Sequence, residues 1–180
     1  MRRLLMLIAG AVWVASLPGS TLQQLSLTDM IQKSTVIVNG VVQPGLSPAL
    51  RGSMVYTHYQ LTVSAAYKGA PPAVIDVAVP GGAVNGIQQA FAGAPALMSG
   101  QNYVLFLWTS KSGLTQVIGL SQGLFNITTN AQGQTIVSRG AATEQMVNSA
   151  GQPVTDSNLQ MTLAQLKTKI QGVLSGGSAQ

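Results

Sequence analysis

The chain contains no cysteine. That one absence removes disulfides, thiolate metal sites and cysteine nucleophiles, so stability has to come from an ordinary apolar core. Charge is nearly as scarce. Asp, Glu, Lys and Arg together make up 7% of 180 residues, against roughly 25% in an average soluble domain. The acids are Asp29, Asp76, Glu144 and Asp156, and the only histidine is His58. A two-carboxylate hydrolase needs its acids within several ångströms of each other, and a metal centre needs three or four ligands. Four dispersed acids and one histidine point to neither, so no metal, no cofactor and no catalytic residue are expected. A serine nucleophile needs a base and an orienting acid beside it. Serines are plentiful here, but no G-x-S-x-G elbow occurs. His58, between Thr57 and Tyr59, reads as a solvated or structural histidine on the outer face of a strand. The alternative is a small secreted hydrolase that uses a Ser with His58.

Positive charge is sparse as well. Formal net charge is +5. Arg2 and Arg3 precede an apolar run, and the remaining seven bases (Lys33, Arg51, Lys68, Lys111, Arg139, Lys167, Lys169) against four acids leave +3. They form no stripe with interleaved aromatics, so no nucleic-acid partner is expected.

What is present begins with a leader. Arg2 and Arg3, the apolar run 4–14 and the small residues Ala15 and Ser16 have the form of a signal peptide cut after Ser16, or at Gly19 or Ser20. The run is shorter than the ~20 residues of a membrane span, and no cysteine follows it for lipid attachment. The expected product is exported, periplasmic or extracellular, with no stable membrane anchor after cleavage.

Beyond residue 20 the pattern changes repeatedly. Ser26 and Asp29 are spaced as a helix cap around residues 26–34. The β-branched run 35–42 is a strand, and Pro44, Gly45, Pro48 and Gly52 read as turn chemistry. Residues 54–67 alternate, with Val55, Thr57, Tyr59, Leu61, Val63, Ala65 and Tyr67 on one face and a bend at Ser64-Ala65. Residues 74–79 form the next strand. Residues 83–100 read as an ordered loop with apolar plugs at Ile87, Phe91 and Leu97. The run 101–108 is the most apolar strand, and shorter strands follow at 114–120, 123–128 and 134–138. Leu159, Leu163, Leu166 and Ile170 recur at helical spacing. The expected class is mainly β: a small OB-like barrel or sandwich of six to seven strands, with a short N-terminal helix and a C-terminal amphipathic helix. The expected organisation is a signal at 1–20, a β-barrel domain at 21–140, a mobile linker at 141–158, a helix at 159–175 and a tail at 176–180.

Three constellations invite a functional reading. Gly81-Gly82 with Gly86 follows a strand, but no helix pattern or Lys-Ser/Thr follows it. A phosphate cradle needs both, and a tight turn is the simpler account. Gln122, in the GLSQG run 119–123, reads as a bridge to a neighbouring backbone or as a binding corner. Tyr56, Tyr59, Tyr67, Tyr103, Trp108 and Phe91 are the residues from which an aromatic platform for sugar or peptide could be built.

Five pieces taken together, SLTDMIQKSTVIVNGVV, VSAAYKG, DVAVPGG, GAPALMSGQNYVLFL and VIGLSQGLF, resemble an exported bacterial β-barrel family of unassigned function. That family is in turn similar to OB-fold netrin-like modules, the class of the tissue inhibitors of metalloproteinases. The likeness runs over about residues 26–127. Residue by residue it covers Lys68-Gly69, Gly81-Gly82, Gly93, Pro95, Gly100, Tyr103, Phe106 and Leu107, and Gly119, Gln122, Gly123 and Phe125. Two departures matter. The family's Phe after the Pro is Leu97 or Met98 here, and its Glu is Gln101. The N-terminal cysteine on which metalloproteinase inhibition depends is absent. The resemblance therefore implies fold more than activity, with the family's members looking like companions of secreted metalloproteases. The expected function is an exported non-enzymatic binding module whose partner is a secreted protease or another envelope protein. A purely structural envelope protein is a further alternative.

Overall fold

A computed structural model describes residues 21–176. The signal segment read at 1–20 and the last four residues lie outside the described residues. In chain order the elements are β1 (Thr21–Gln23), α1 (Leu27–Lys33), β2 (Val36–Arg51), β3 (Met54–Lys68) and β4 (Val74–Pro80). A small hairpin follows, β5 (Gly82–Val84) and β6 (Ile87–Gln89), then β7 (Asn102–Thr109), β8 (Thr115–Val117) and a 3-10 turn at Leu120–Gly123. The chain ends with β9 (Leu124–Thr129), β10 (Thr135–Arg139), β11 (Gln145–Val147), β12 (Pro153–Val154), β13 (Leu159–Thr162) and α2 (Leu163–Leu174).

Among the described residues the fold is mainly β with two helices. Strands β13-β10-β9-β7-β2-β3-β4 lie side by side in one sheet, and β8 pairs with the far end of β7 beyond β9. The sheet curls until β4 lies against β8. No ladder joins those two strands, so the barrel does not close. Among the described residues thirteen strands stand where six or seven were expected. The surplus consists of pieces of two to four residues, too short to show a period in the sequence.

Both faces of the sheet are covered, which is why β7 is apolar at every position from 103 to 107. Tyr103, Leu105 and Leu107 point into the curl with Val38, Val42, Leu61, Val77 and Val117. Val104 and Phe106 point the other way, against Met30 and Ile31 of α1 and Leu166, Ile170 and Val173 of α2. Ser26 caps α1: its hydroxyl accepts from Asp29 N at 3.0 Å, and the Asp29 carboxylate accepts from Ser26 N at 3.2 Å. Hydrogen bonding by Ser26 holds the Asp29 carboxyl below the usual carboxylate range, with Lys33 assisting against some desolvation. At the other end of α1, Lys68 Nζ donates to the Ile31 and Gln32 carbonyls at 2.7 and 2.9 Å. These are last-turn acceptors with no partner inside the helix. Lys68→Met is therefore expected to cost about 1–2 kcal/mol. Hydrogen exchange should locate the loss in α1 and leave β2 protected.

Two features of the long strands depart from simple alternation. Gly40 pairs with Val63 and Asn39 with Ala65, so Ser64 is an extra residue. A Cβ on Gly40 would sit 2.6 Å from the Thr62 carbonyl, so the bulge needs glycine. One extra residue exchanges the two faces of a strand. Val63 packs inside the curl, whereas Tyr67 packs on the helix side with Lys167 Nζ 5.2 Å above its ring. The single face read from Val55 to Tyr67 is corrected accordingly. Second, β2 continues past Pro44, Gly45 and Pro48, with a bulge between Val42 and Leu46 where Gly45 lies at φ +91°. β7 and the residues just before it cover β2 only as far as Val42, so the edge of β2 opposite β3 is open beyond that point. Pro48 has no N–H to lose on such an edge, where proline is tolerated.

Residues 141–158 carry β11 and β12, not a structureless linker, and β1 pairs parallel with β11. Arg139 and Asp156 pin this segment through a buried ion pair, 2.5 Å between Nη1 and Oδ2. The final helix begins at Leu163, because Leu159–Thr162 pairs with β10 as β13. Among the described residues no helix is long and apolar enough to cross a membrane.

Candidate functional site

At the open seam between β4 and β8 the main sheet approaches itself without bonding. The backbone pattern on each side follows from a few bonds. Val63 N donates to Ala73 O at 2.9 Å and Gly81 N donates to Val55 O at 2.8 Å. Antiparallel ladders bond alternate residues. The odd residues of β4 therefore face β3, and Val74, Asp76 and Ala78 turn their N–H and C=O toward the seam. On the other side, Ser110 N donates to Leu114 O and Ile118 N to Phe106 O, both at 2.9 Å. The even residues bond β7, and Thr115 and Val117 turn toward the seam.

The two ends of the seam differ. Ala78 and Val117 are buried. Val74 is 41% exposed, and here the seam widens into a groove of about 290 Å³. Its walls are Val36, Pro71, Pro72, Val74, Ile75 and Leu107, with Thr109, Thr115 and Asp76 as polar groups. Asp76 is the one charged side chain in that lining.

Asp76 also belongs to the outer face of β3 and β4. Its Oδ2 lies 2.8 Å from His58 Nδ1, which donates, and its Oδ1 accepts from Gln60 Nε2 at 3.2 Å. Sequence alternation places His58 and Asp76 each on a solvent-facing side. It does not show that the β3–β4 register sets Gln60 opposite Asp76 and His58 on the diagonal. Ser47 of β2 is the register partner of His58, which puts Ser, His and Asp on three adjacent strands. No hydrogen bond joins Ser47 to His58, and neither residue lines the groove. Among the described residues no group of three or more His, Asp or Glu converges.

The residues singled out by the resemblance occupy structural positions. Lys68 caps α1, and Gly69, at φ +75°, turns where a Cβ would lie 2.8 Å from the Thr35 carbonyl. At Gly82, φ +130°, a Cβ would collide with the Thr57 hydroxyl, so the Gly81-Gly82 pair is a tight turn into β5. Gly93 O accepts from Ser121 N at 2.9 Å, Pro95 is buried, and Gly100 N donates to Val42 O at 2.8 Å. Tyr103 is buried, and its hydroxyl accepts from Met98 N at 3.2 Å. Phe106 and Phe125 are fully buried with ring centroids 5.4 Å apart. Gly119 enters the 3-10 turn at φ +62°. Gln122, 1% exposed, accepts from Leu25 N at 2.8 Å and donates to Gln23 O at 3.0 Å. Gly123 leaves no room for a side chain against the Ile118 and Phe106 carbonyls, 2.9 and 3.0 Å from where its Cβ would be.

One expectation about the surface is corrected. Of the three plugs in residues 83–100 only Leu97 enters the core, while Ile87 and Phe91 are 41% and 37% exposed. That stretch carries the β5–β6 hairpin, held down by Gln89, which accepts from Val55 N at 2.7 Å and donates to Ser53 O at 2.8 Å. Of the aromatic residues, Tyr103 packs in the core, Tyr59 packs toward the same core and Tyr67 toward the helices, while Phe91 and Trp108 are exposed.

Comparison with protein-family models, with curated proteins and with solved structures returns no match.

Proposed function

We propose that this chain is an exported, non-enzymatic binding module on an OB-like barrel, and that its partner is a protein, a secreted protease or another envelope protein. The observation that carries this reading is the seam: an apolar groove bordered by two strand edges whose backbone groups have no ladder partner. Unpaired edges beside an apolar groove are what protein segments dock onto. The OB-like assignment is supported by strand succession. β2, β3 and β4 form a meander, β7 returns beside β2, and β8 lies beside β7 facing β4, as in a five-stranded, partly open Greek-key barrel.

The test is capture from native periplasm and culture medium on the immobilised mature chain, against a Pro71→Glu/Val74→Glu variant. Val74 is exposed and Pro71 half-buried, so the variant charges the groove without touching the core. Replacing residues 83–99 would be a poorer control, because it withdraws Leu97 from the core and the Gln89 bonds from β3. One protein retained by the wild type and lost by the variant is the expected result. No retained protein, or equal retention by both, would overturn the reading.

The hydrolase alternative has one observation in its favour, the His58–Asp76 contact beside Ser47. A fluorophosphonate probe decides it. Labelling of Ser47 that disappears in His58→Ala would replace the binding reading with an enzymatic one. No labelling is expected, because the three side chains lie on an open sheet face and nothing there excludes water.

A further inference from the structure

We propose that the seam takes its partner as an added strand on β4, and that it selects an extended segment carrying Lys or Arg beside Asp76 with apolar residues on either side. This rests on the protein-binding reading and names the ligand chemistry of the same groove. Two residues, Val74 and Asp76, offer N–H and C=O groups on the open side of β4 at the groove mouth. An extended segment laid there bonds to them as a neighbouring strand does. Its side chains then alternate. One set faces inward onto Ile75 and Leu107, and the other faces outward alongside Val74 and Asp76.

Charge sets the preference for the outward position. Asp29 is engaged by Ser26 and Lys33, and Asp156 is buried against Arg139. Asp76 has a side chain 51% exposed at the groove mouth, where His58 and Gln60 donate to it but no Lys or Arg does. A Lys or Arg on the ligand adds a cation beside those two donors. The two ends of the groove set the length. Pro72 precedes β4 with no N–H to offer, and the seam closes at the buried Ala78, so the window is 74–76. A groove of about 290 Å³ lies at the lower end of ligand-binding pockets and fits a short segment. The open edge of β2 is a worse acceptor, because Pro48 interrupts it between Leu46 and Leu50.

The experiment is a positional-scanning library of N-acetylated, C-amidated pentapeptides screened on the immobilised chain. Wild type should enrich Lys or Arg at one position, with apolar residues at both neighbours. Asp76→Lys should turn that preference to Asp or Glu, and Asp76→Asn should flatten it. The charge preference should be about fivefold, the scale of an exposed ion pair. N-methylation of the backbone amides that face β4 should weaken the best peptide by at least about tenfold. No enrichment, an unchanged preference in Asp76→Lys, or tolerance of N-methylation at every position would each overturn the proposal. If a native protein is captured through the groove yet competes with none of these peptides, protein binding stands and strand addition falls.

Discussion

Asp156→Ala lowers stability by about 3–5 kcal/mol, because it leaves the Arg139 guanidinium charged, buried and uncompensated. The side chains of Arg139 and Asp156 are 5% and 1% exposed, and the two terminal guanidinium nitrogens reach the carboxylate, at 2.5 and 3.1 Å. Ala142 N donates to the same carboxylate at 2.9 Å and Gln24 Nε2 at 3.3 Å. One acid therefore joins β10, the segment after it and the chain leaving β1. For a domain of this size the loss corresponds to a fall in Tm on the order of 6–20 °C. Hydrogen exchange should show β1, β11 and β12 opening first. Replacing both partners, Arg139→Met with Asp156→Leu, should cost much less than either single change, since an apolar pair leaves no unpaired charge. Arg139 Nε, buried without a partner, makes that contrast sharper.

The same carboxyl predicts an acid limb. Burial pushes Asp156 upward, but the hydrogen bonds from Arg139, Ala142, Gln24 and Ser157 outweigh it and hold it far below the ordinary value of 3.8. A carboxyl depressed in the folded state contributes its full stability above the unfolded pKa and loses it as pH falls. Unfolding free energy should therefore be flat in this contribution from neutrality down to about pH 4 and decline below it. The double Met/Leu variant should lack that part of the decline. A wild-type denaturation midpoint that does not move between pH 5 and pH 2.5 would refute the assignment.

Phe106→Ala should be comparably severe, about 3–5 kcal/mol, because the site cannot collapse around the missing ring. Phe106 is fully buried in the layer between the sheet and both helices, tilted 44° against Phe125. Its loss opens a cavity against Met30 and Ile31 on one side and Leu166 and Ile170 on the other. A double-mutant cycle with Phe125→Leu should give a coupling of about 0.5–1.5 kcal/mol for the ring pair. If the loss were below about 1 kcal/mol, the two helices would not be held by this layer.

The candidate site was only partly legible in the sequence. That His58 and Asp76 face outward follows from alternation along each strand, but their contact depends on the β3–β4 register, which no local pattern carries. Gln122 could be recognised as a polar side chain needing partners. That those partners are the Gln23 carbonyl and the Leu25 amide depends on the N-terminal segment returning to lie beside the 3-10 turn. No local pattern carries the buried Arg139–Asp156 pair either. Arg139 ends a strand and Asp156 lies in a polar stretch, so separately both read as surface residues.

The sequence by itself determined the mainly β class, the positions of α1 and β7, and the capping of α1 by Ser26. These are decided by short-range physics: side-chain period, β-branching and a hydroxyl three residues from an amide. Only the tertiary structure decided that β2 continues past its prolines with a bulge before Leu46, that one extra residue at Ser64 reverses the faces of β3, and that the sheet curls without closing. Each depends on which strand lies alongside. An open edge tolerates Pro48, a bulge needs a partner to be read against, and the β4–β8 seam exists only because strands about forty residues apart in the chain come together and do not bond.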